Sequence, residues 1–363
     1  MPNSKTEGRV PEVRTGQLDV SLAREEFSRR FRERFRDPRF DNEREHIDAL
    51  EEIAWRNHED SRKAPRTRAA GPGFADPSYE VAVEWLDARD RIREAEQRRA
   101  ASSRLRLLLI NGAARNDQSC PGEMSKTHRL LTLAREELAK DPGVDIDVLD
   151  LSRLAAEYGR VIYPCKGCVS TAMPLCHWPC SCYPNHALGQ VNDWMNDIYA
   201  MWAAADGIMI VTPVYWYQAP AVLKLMMDRL VCADGGNPDP TTTSGKDASK
   251  AKALELKGWD YPRHLAGRVF SIVVHGDAAG CENLRRILYD WLVDMHLVPA
   301  GADAMLDRYI GYYQPYATSH EELDRDLAVQ REVRNVAGAF ATAVRDGKAG
   351  RLKRPELEDP RPK

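Results

Sequence analysis

Residues 206–230 read DGIMIVTPVYWYQAPAVLKLMMDRL. Apolar side chains on successive positions, Ile208 to Val211, need cover on both faces, as in a strand buried inside a parallel sheet. The run stops at Thr212-Pro213, three aromatics follow, and APAVLKLMMDRLV reads as a helix opening directly behind them. Outward from this unit the same alternation repeats. RLRLLLI (104–110) is a short apolar run ending in Asn-Gly, SKTHRLLTLAREELAK (125–140) an amphipathic helix, and VDIDVLDL (144–151) an alternating strand. LGQVNDWMNDIYAMWAAA (188–205) is helical, GRVFSIVVHGD (267–277) a strand, ENLRRILYDWLVDMHL (282–297) a helix and GADAMLDRYIG (301–311) a short strand. Strand and helix alternating in this way predict an open α/β fold, a doubly wound parallel sheet with helices on both faces.

The whole chain sets bounds. At 363 residues it can hold one large or two ordinary domains. A net charge of −3 and a pI near 6.3 give no global attraction to nucleic acid or to an anionic membrane. The opening MPNSKTEGRVPEVRTGQ has no apolar run, and no apolar segment approaches the ~20 residues that span a bilayer. The expectation is a cytoplasmic protein, in which structural disulfides are disfavoured.

Three zones differ in composition. Residues 1–100 are a charged helical extension, expected to serve as an oligomerisation arm. Its first helical stretch breaks near Asp37-Pro38 and carries a thin apolar stripe of Phe27, Phe31 and Phe35. RKAPRTRAAGPGFAD reads as a linker, and DPSYEVAVEWLDARDRIREAEQRRA as a helix capped by Asp76 or Ser78. Residues 101–310 form the α/β domain. Residues 311–363 are a polar amphipathic helix and the tail GKAGRLKRPELEDPRPK, expected to be disordered.

In open α/β sheets ligands bind outside the carboxyl ends of the strands, and three loops there are unusual. In NGAARNDQSCPGEMSKTH, small residues (Gly112, Ala113, Ala114) permit close backbone approach. Ser125 and Thr127 stand at a helix start suited to a phosphate, and Arg115 and Lys126 add charge. Neither Gly-x-x-x-x-Gly-Lys-[Ser/Thr] nor Gly-x-Gly-x-x-Gly is present, which disfavours a nucleotide triphosphatase and a dinucleotide-fold dehydrogenase. The second loop, TPVYWYQAP, sets Pro213, Val214, Tyr215, Trp216, Tyr217 and Gln218 at the sheet edge, where aromatics and main-chain amides can meet a planar heterocycle; plain packing is the bland alternative. The third, HGDAAGCENL, offers His275, Gly276, Asp277 and Gly280.

On these motifs, segment 104–300 resembles the flavodoxin-like NADPH-dependent FMN reductase family, which includes NAD(P)H:quinone-type oxidoreductases and iron–sulfur flavoproteins. The family's phosphate loop maps onto Ala113, Arg115, Ser125 and Thr127. Its Pro-x-Tyr signature, with the following Pro, Leu-Lys and Asp, maps onto Pro213, Tyr215, Pro220, Leu223, Lys224 and Asp228, and its third loop onto Gly276 and Gly280. The resemblance implies a five-stranded sheet in order 2-1-3-4-5 and FMN along the sheet edge. It also implies NADPH or NADH as hydride donor and a small-molecule electron acceptor: a quinone, a flavin, a nitro or azo compound, or a pathway-specific substrate. Tyr215, Trp216 and Tyr217 would contact the ring. His275 is a conceivable proton donor or, more plainly, a satisfied loop histidine. A homodimer or homotetramer is implied, with no nucleic-acid or membrane partner. The insertion GGNPDPTTTSGKDASKAKALELKGW and Tyr309, Tyr312, Tyr313 and Tyr316 would shape the substrate pocket or simply pack.

PCKGCVSTAMPLCHWPCSC gathers Cys165, Cys168, Cys176, Cys180 and Cys182, five of the eight cysteines. Four of the five could hold [4Fe–4S] or, behind it, tetrahedral zinc. A redox or substrate-contacting thiol and structural thiols remain as alternatives. Two further readings stay open: an electron carrier joining FMN and an iron–sulfur centre between protein partners, and a non-catalytic zinc-bearing assembly protein.

Overall fold

The computed structural model describes residues 21–119, 124–315 and 318–352. The chain divides into two compact units. One gathers Met1–Asp90, Cys165–Asp193 and Gly235–Tyr261; the other gathers Arg91–Pro164, Trp194–Asp234 and Pro262–Lys363. The division differs from the expected three zones, because two segments inside 101–310 fold with the N-terminal residues. The tail expected to be disordered from Gly347 is ordered at its start, where Gly347 and Lys348 close the last helix and Leu352 packs on the core; residues 353–363 and Tyr316 lie outside the described residues.

The second unit holds the parallel sheet. Its strands are β1 (Leu105–Asn111), β2 (Val144–Asp150), β3 (Gly207–Pro213), β4 (Val269–Gly276), β5 (Val298–Pro299) and β6 (Met305–Tyr309). The order runs β2-β1-β3-β4-β5, with β6 also on β4, every pairing parallel. Six strands therefore replace the expected five. β5 pairs only Val269 and Phe270, the chain leaves the edge at 300–304, and β6 rejoins β4 along 272–276. Two segments thus share one edge position.

Strands β3 and β4 are buried along their whole length, which is why they read as continuous apolar runs. Leu107, Leu109, Met209, Val211 and Val273 pack on α1 (Lys126–Leu138) and on the C-terminal helix 327–348. The alternate side chains Leu108, Ile110, Ile208, Ile210 and Ile272 are fully buried as well, so both faces are covered. Helix 327–348 contributes Val333, Ala337, Phe340 and Val344 to this core. It is a structural layer rather than a polar appendage: a Cβ on Gly207 would stand 2.8 Å from the Phe340 ring and collide with Val344.

In the other unit the break at Asp37-Pro38 is present, with the Asp37 carboxylate accepting from the Arg39 N–H at 3.0 Å. Phe27, Phe31 and Phe35 form a chain of ring contacts at 6.2 and 5.5 Å, and Trp55 meets Phe27 at 5.2 Å. The buried Glu51 carboxylate pairs with Arg24 (3.1 Å) and Arg32 (2.6 Å). Residues read as a linker include a strand, Thr67–Ala69, paired antiparallel with Glu80–Ala82. The following helix consequently starts at Val83, beyond the expected caps. Asp76 instead closes a turn, accepting from Ser78 N (3.0 Å) and Ser78 Oγ (2.6 Å).

Candidate functional site

Consecutive strands β1 and β2 are neighbours, and the chain then crosses to β3 on the other side of β1. That reversal opens a crevice at the carboxyl ends of β1 and β3, the place where this architecture binds ligands. The three loops singled out in the sequence meet there. The Val214 N–H donates to the His275 carbonyl (2.9 Å), and Thr127 Oγ1 lies 2.7 Å from His275 Nε2. A Cβ on Gly276 would come within 2.6 Å of Val214, and one on Gly280 within 3.1 Å of the Tyr217 backbone. The glycines of the third loop thus let the second pack against it.

Residues 215–218 form a tight turn. The Tyr215 N–H donates to the Gln218 carbonyl and the Gln218 N–H returns the bond, both at 2.9 Å. Trp216 (φ +46°) and Tyr217 (φ +65°) occupy the left-handed region, which is costly for aromatic residues. Neither is spent on the core: Trp216 is 93% exposed and Tyr217 60%. Their amides find no backbone acceptor among the described residues, which leaves two donors beside two ring faces. Of the amides the sequence offered, those of Val214, Tyr215 and Gln218 are used within the protein.

Ser125 caps α1, its hydroxyl accepting from the His128 N–H at 3.5 Å. The first-turn N–H groups and the helix dipole suit an anion. Asn111 and Asn116 tie the start of the loop to the end of β2: their side-chain amides donate to Asp150 at 2.7 and 2.9 Å. The centre of that loop, 120–123, lies outside the described residues. Gly112 serves packing rather than the approach of a ligand, since a Cβ there would stand 2.8 Å from the Thr212 side chain. Lys126 is buried, donates to the Ile310 carbonyl (3.2 Å) and faces the Tyr312 ring at 5.8 Å. Burial lowers its pKa while Asp277 opposes the shift. His275 is buried too; desolvation, with the Lys126 charge, lowers its pKa to about 3. It is therefore neutral at ordinary pH and joined to Thr127, with Nδ1 lacking a partner among the described residues. Helix terminus, small residues Ala113 and Ala114, and the amide-bearing aromatic turn together fit the phosphate and ring of FMN.

The cysteine segment lies in the other unit. Cys168 Sγ and Cys182 Sγ are 3.4 Å apart, and Lys246 Nζ stands 3.8 Å from Cys168 Sγ while donating to the Leu175 carbonyl at 2.6 Å. Burial would lower the Lys246 pKa, but negative charge on the neighbouring cysteine sulfurs, Cys182 first, raises it. A hydrogen bond from Cys168, a second from Cys180 and the nearby cations Lys246 and Lys63 draw Cys182 well below the usual thiol range. Cys168, as donor to Cys182 and by burial, is pushed up. Cys165 Sγ accepts from its own loop at Gly167 N (3.4 Å). Among the described residues no three His, Cys, Asp or Glu side chains are placed to share a metal ion. The donor geometry thus does not fit the cluster expected on four of Cys165, Cys168, Cys176, Cys180 and Cys182. Sequence reasoning misses Lys246, one of four lysines in the insertion 235–259, with nothing local to set it apart.

Comparison with known proteins adds independent findings. An iron–sulfur flavoprotein of Methanosarcina thermophila is 30% identical over 122 residues, 34% of this chain and 50% of that protein. The chain thus spans half the length of that curated relative. A crystal structure of RosB with a bound intermediate, 8-demethyl-8-formylriboflavin-5'-phosphate, is similar at 14% identity and a TM-score of 0.47, covering 68% of this chain and 81% of that one. An NAD(P)H:quinone oxidoreductase from Methanothermobacter marburgensis is similar at 14% identity and a TM-score of 0.38, over 64% of this chain and 100% of that one. The family model for NADPH-dependent FMN reductase matches residues 105–309, from the first residue of β1 to the last of β6. That match takes in all three loops at the crevice and more than half of the sequence, and the chain belongs to the NADPH-dependent FMN reductase family.

Proposed function

We propose that this chain is an FMN-dependent NAD(P)H oxidoreductase that passes electrons to a small aromatic acceptor such as a quinone, a flavin, or a nitro or azo compound. The observation carrying the proposal is the turn 215–218. Two aromatic residues hold left-handed backbone and stay in solvent, so their strain, of order 1–3 kcal/mol each, is offset by no burial of their own rings. A planar partner stacked on them accounts for it. When bound, FMN supplies the redox chemistry, accepting hydride from the nicotinamide and releasing electrons to the acceptor. The protein's part is to bind and orient. The first turn of α1 holds the phosphate, Arg115 adds charge at the loop, and the Trp216 and Tyr217 amides donate to the polar edge of the ring. His275, neutral and joined to Thr127, positions the helix start rather than supplying protons.

The same reading includes a homodimer or homotetramer. Helix Arg44–Glu59, in the N-terminal extension, leaves Leu50 and Ile53 more than half exposed, which suits a second copy. An iron–sulfur centre, the basis of the electron-carrier reading, has support in the relative's name alone, and no step depends on it. The test is a visible spectrum of purified protein before and after anaerobic NADPH. Flavin bands that bleach stoichiometrically are expected. Bands that bleach only with a partner reductase would make the chain a carrier, and a colourless protein that refuses FMN would remove the proposal.

A further inference from the structure

The cysteine group has chemistry of its own, independent of flavin. We propose that Cys168 and Cys182 are a redox-active dithiol that reduces a low-molecular-weight, anionic disulfide, with Lys246 holding the negative charge of the reduced pair.

The geometry carries this. The two sulfurs are already at 3.4 Å and need only close to a bond of about 2.05 Å. They lie fourteen residues apart, on either side of Cys176 and Cys180. Lys246 is among the most buried cations of the chain, at 7% exposure, and its ammonium faces sulfur rather than carboxylate. Its ammonium, held by the Leu175 carbonyl, places a positive charge 3.8 Å from Cys168 Sγ, where it would stabilise a thiolate formed during the reaction. Cys168 is the more exposed member and Cys182 the buried one, as attacking and resolving thiols should be. Beside them, within the same unit, lies a small open pocket whose lining includes Lys63, Glu80, His177, Ser181, Tyr183 and Lys246. Ser181 and Tyr183, which flank Cys182 in the chain, and Lys246, which stands 3.8 Å from Cys168 Sγ, all line it, so the pocket lies next to the sulfur pair. Two lysines against the single carboxylate of Glu80 leave the lining net positive, which favours a substrate carrying carboxylate.

The step balances. Cys168 Sγ attacks one sulfur of the disulfide R–S–S–R, its proton passing to the Cys182 thiolate; the S–S bond of the substrate breaks and RS⁻ leaves, with the other half held as Cys168–S–S–R. Cys182 Sγ then attacks Cys168 Sγ, releasing the second thiol with the proton. Two electrons pass from the pair to the substrate, giving Cys168–S–S–Cys182, RS⁻ and RSH.

Oxidised glutathione is the probe. Incubating reduced full-length protein with it, then alkylating and mapping peptides, should show a Cys168–Cys182 cross-link and the loss of two thiols per chain. Cys182→Ser should stop at a mixed disulfide on Cys168. Lys246→Met should slow the reaction about tenfold or more at neutral pH, an effect that fades at high pH where thiolate forms unaided. A cross-link elsewhere, no reaction in folded wild-type protein, or stoichiometric bound iron or zinc whose chelation alone frees the thiols would overturn the proposal. The wild-type map needs no variant, so misfolding of a mutant leaves the result readable. Flavin content is read separately and does not enter.

Discussion

Tyr217 shows how one side chain can set a site against the stability of its own backbone. Glycine adopts φ near +65° without the Cβ penalty that an aromatic residue bears. Tyr217→Gly should therefore raise stability by about 1 kcal/mol while NADPH-driven turnover falls severalfold; a denaturant titration beside a rate assay checks both. Ser125→Asp keeps a good helix cap but places a carboxylate where the phosphate is proposed. Flavin retained after desalting should fall sharply with thermal stability nearly unchanged; full retention would put the phosphate elsewhere. His275 gives a pH signature. Its native pKa of about 3 lies below the ordinary 6.5, so between those values the unfolded chain binds a proton that the native state refuses. Stability is fully present above pH 6.5 and is lost on acidification at ~1.4 kcal/mol per pH unit. Urea midpoints at pH 7 and pH 5 should differ less in His275→Gln than in wild type.

Among the elements, the strands were the most readable and the short pairings the least. β1, β3 and β4 announce themselves because a strand covered on both faces must be apolar throughout. The ribbon Thr67–Ala69 with Glu80–Ala82 rests on three register pairs and carries no periodicity, so it read as linker and helix. Helix 327–348 read as polar because only one stripe of it is apolar, yet that stripe closes a face of the sheet. Its seat depends on Gly207, where any Cβ meets Phe340 and Val344. Gly207→Ala should cost about 1–3 kcal/mol through overpacking, and Phe340→Ala about 3–5 kcal/mol through the cavity it leaves. Thermal unfolding of the two variants checks the order.

Over the whole chain, two segments that interrupt the sheet domain in sequence, 165–193 and 235–261, fold with the N-terminal residues. None of the core residues shared by the sheet, α1 and helix 327–348 comes from them. Replacing both by short Gly-Ser linkers should leave cooperative unfolding of the sheet and its flavin retention in place, while abolishing the Cys168–Cys182 reaction. Loss of flavin from such a protein would tie the cofactor site to these insertions.

The sequence by itself determined the α/β class, the three loops at the strand ends and the family, because apolar runs, a helix start behind a loop and a Pro-x-Tyr signature are local in the chain. It could not determine that Trp216 and Tyr217 are strained and exposed, that His275 is spent on Thr127, or that Lys246 stands beside Cys168 and Cys168 beside Cys182. Those outcomes depend on backbone conformation and on contacts between residues up to 148 positions apart, and burial, which sets charge and proton affinity, exists only once the chain has closed on itself.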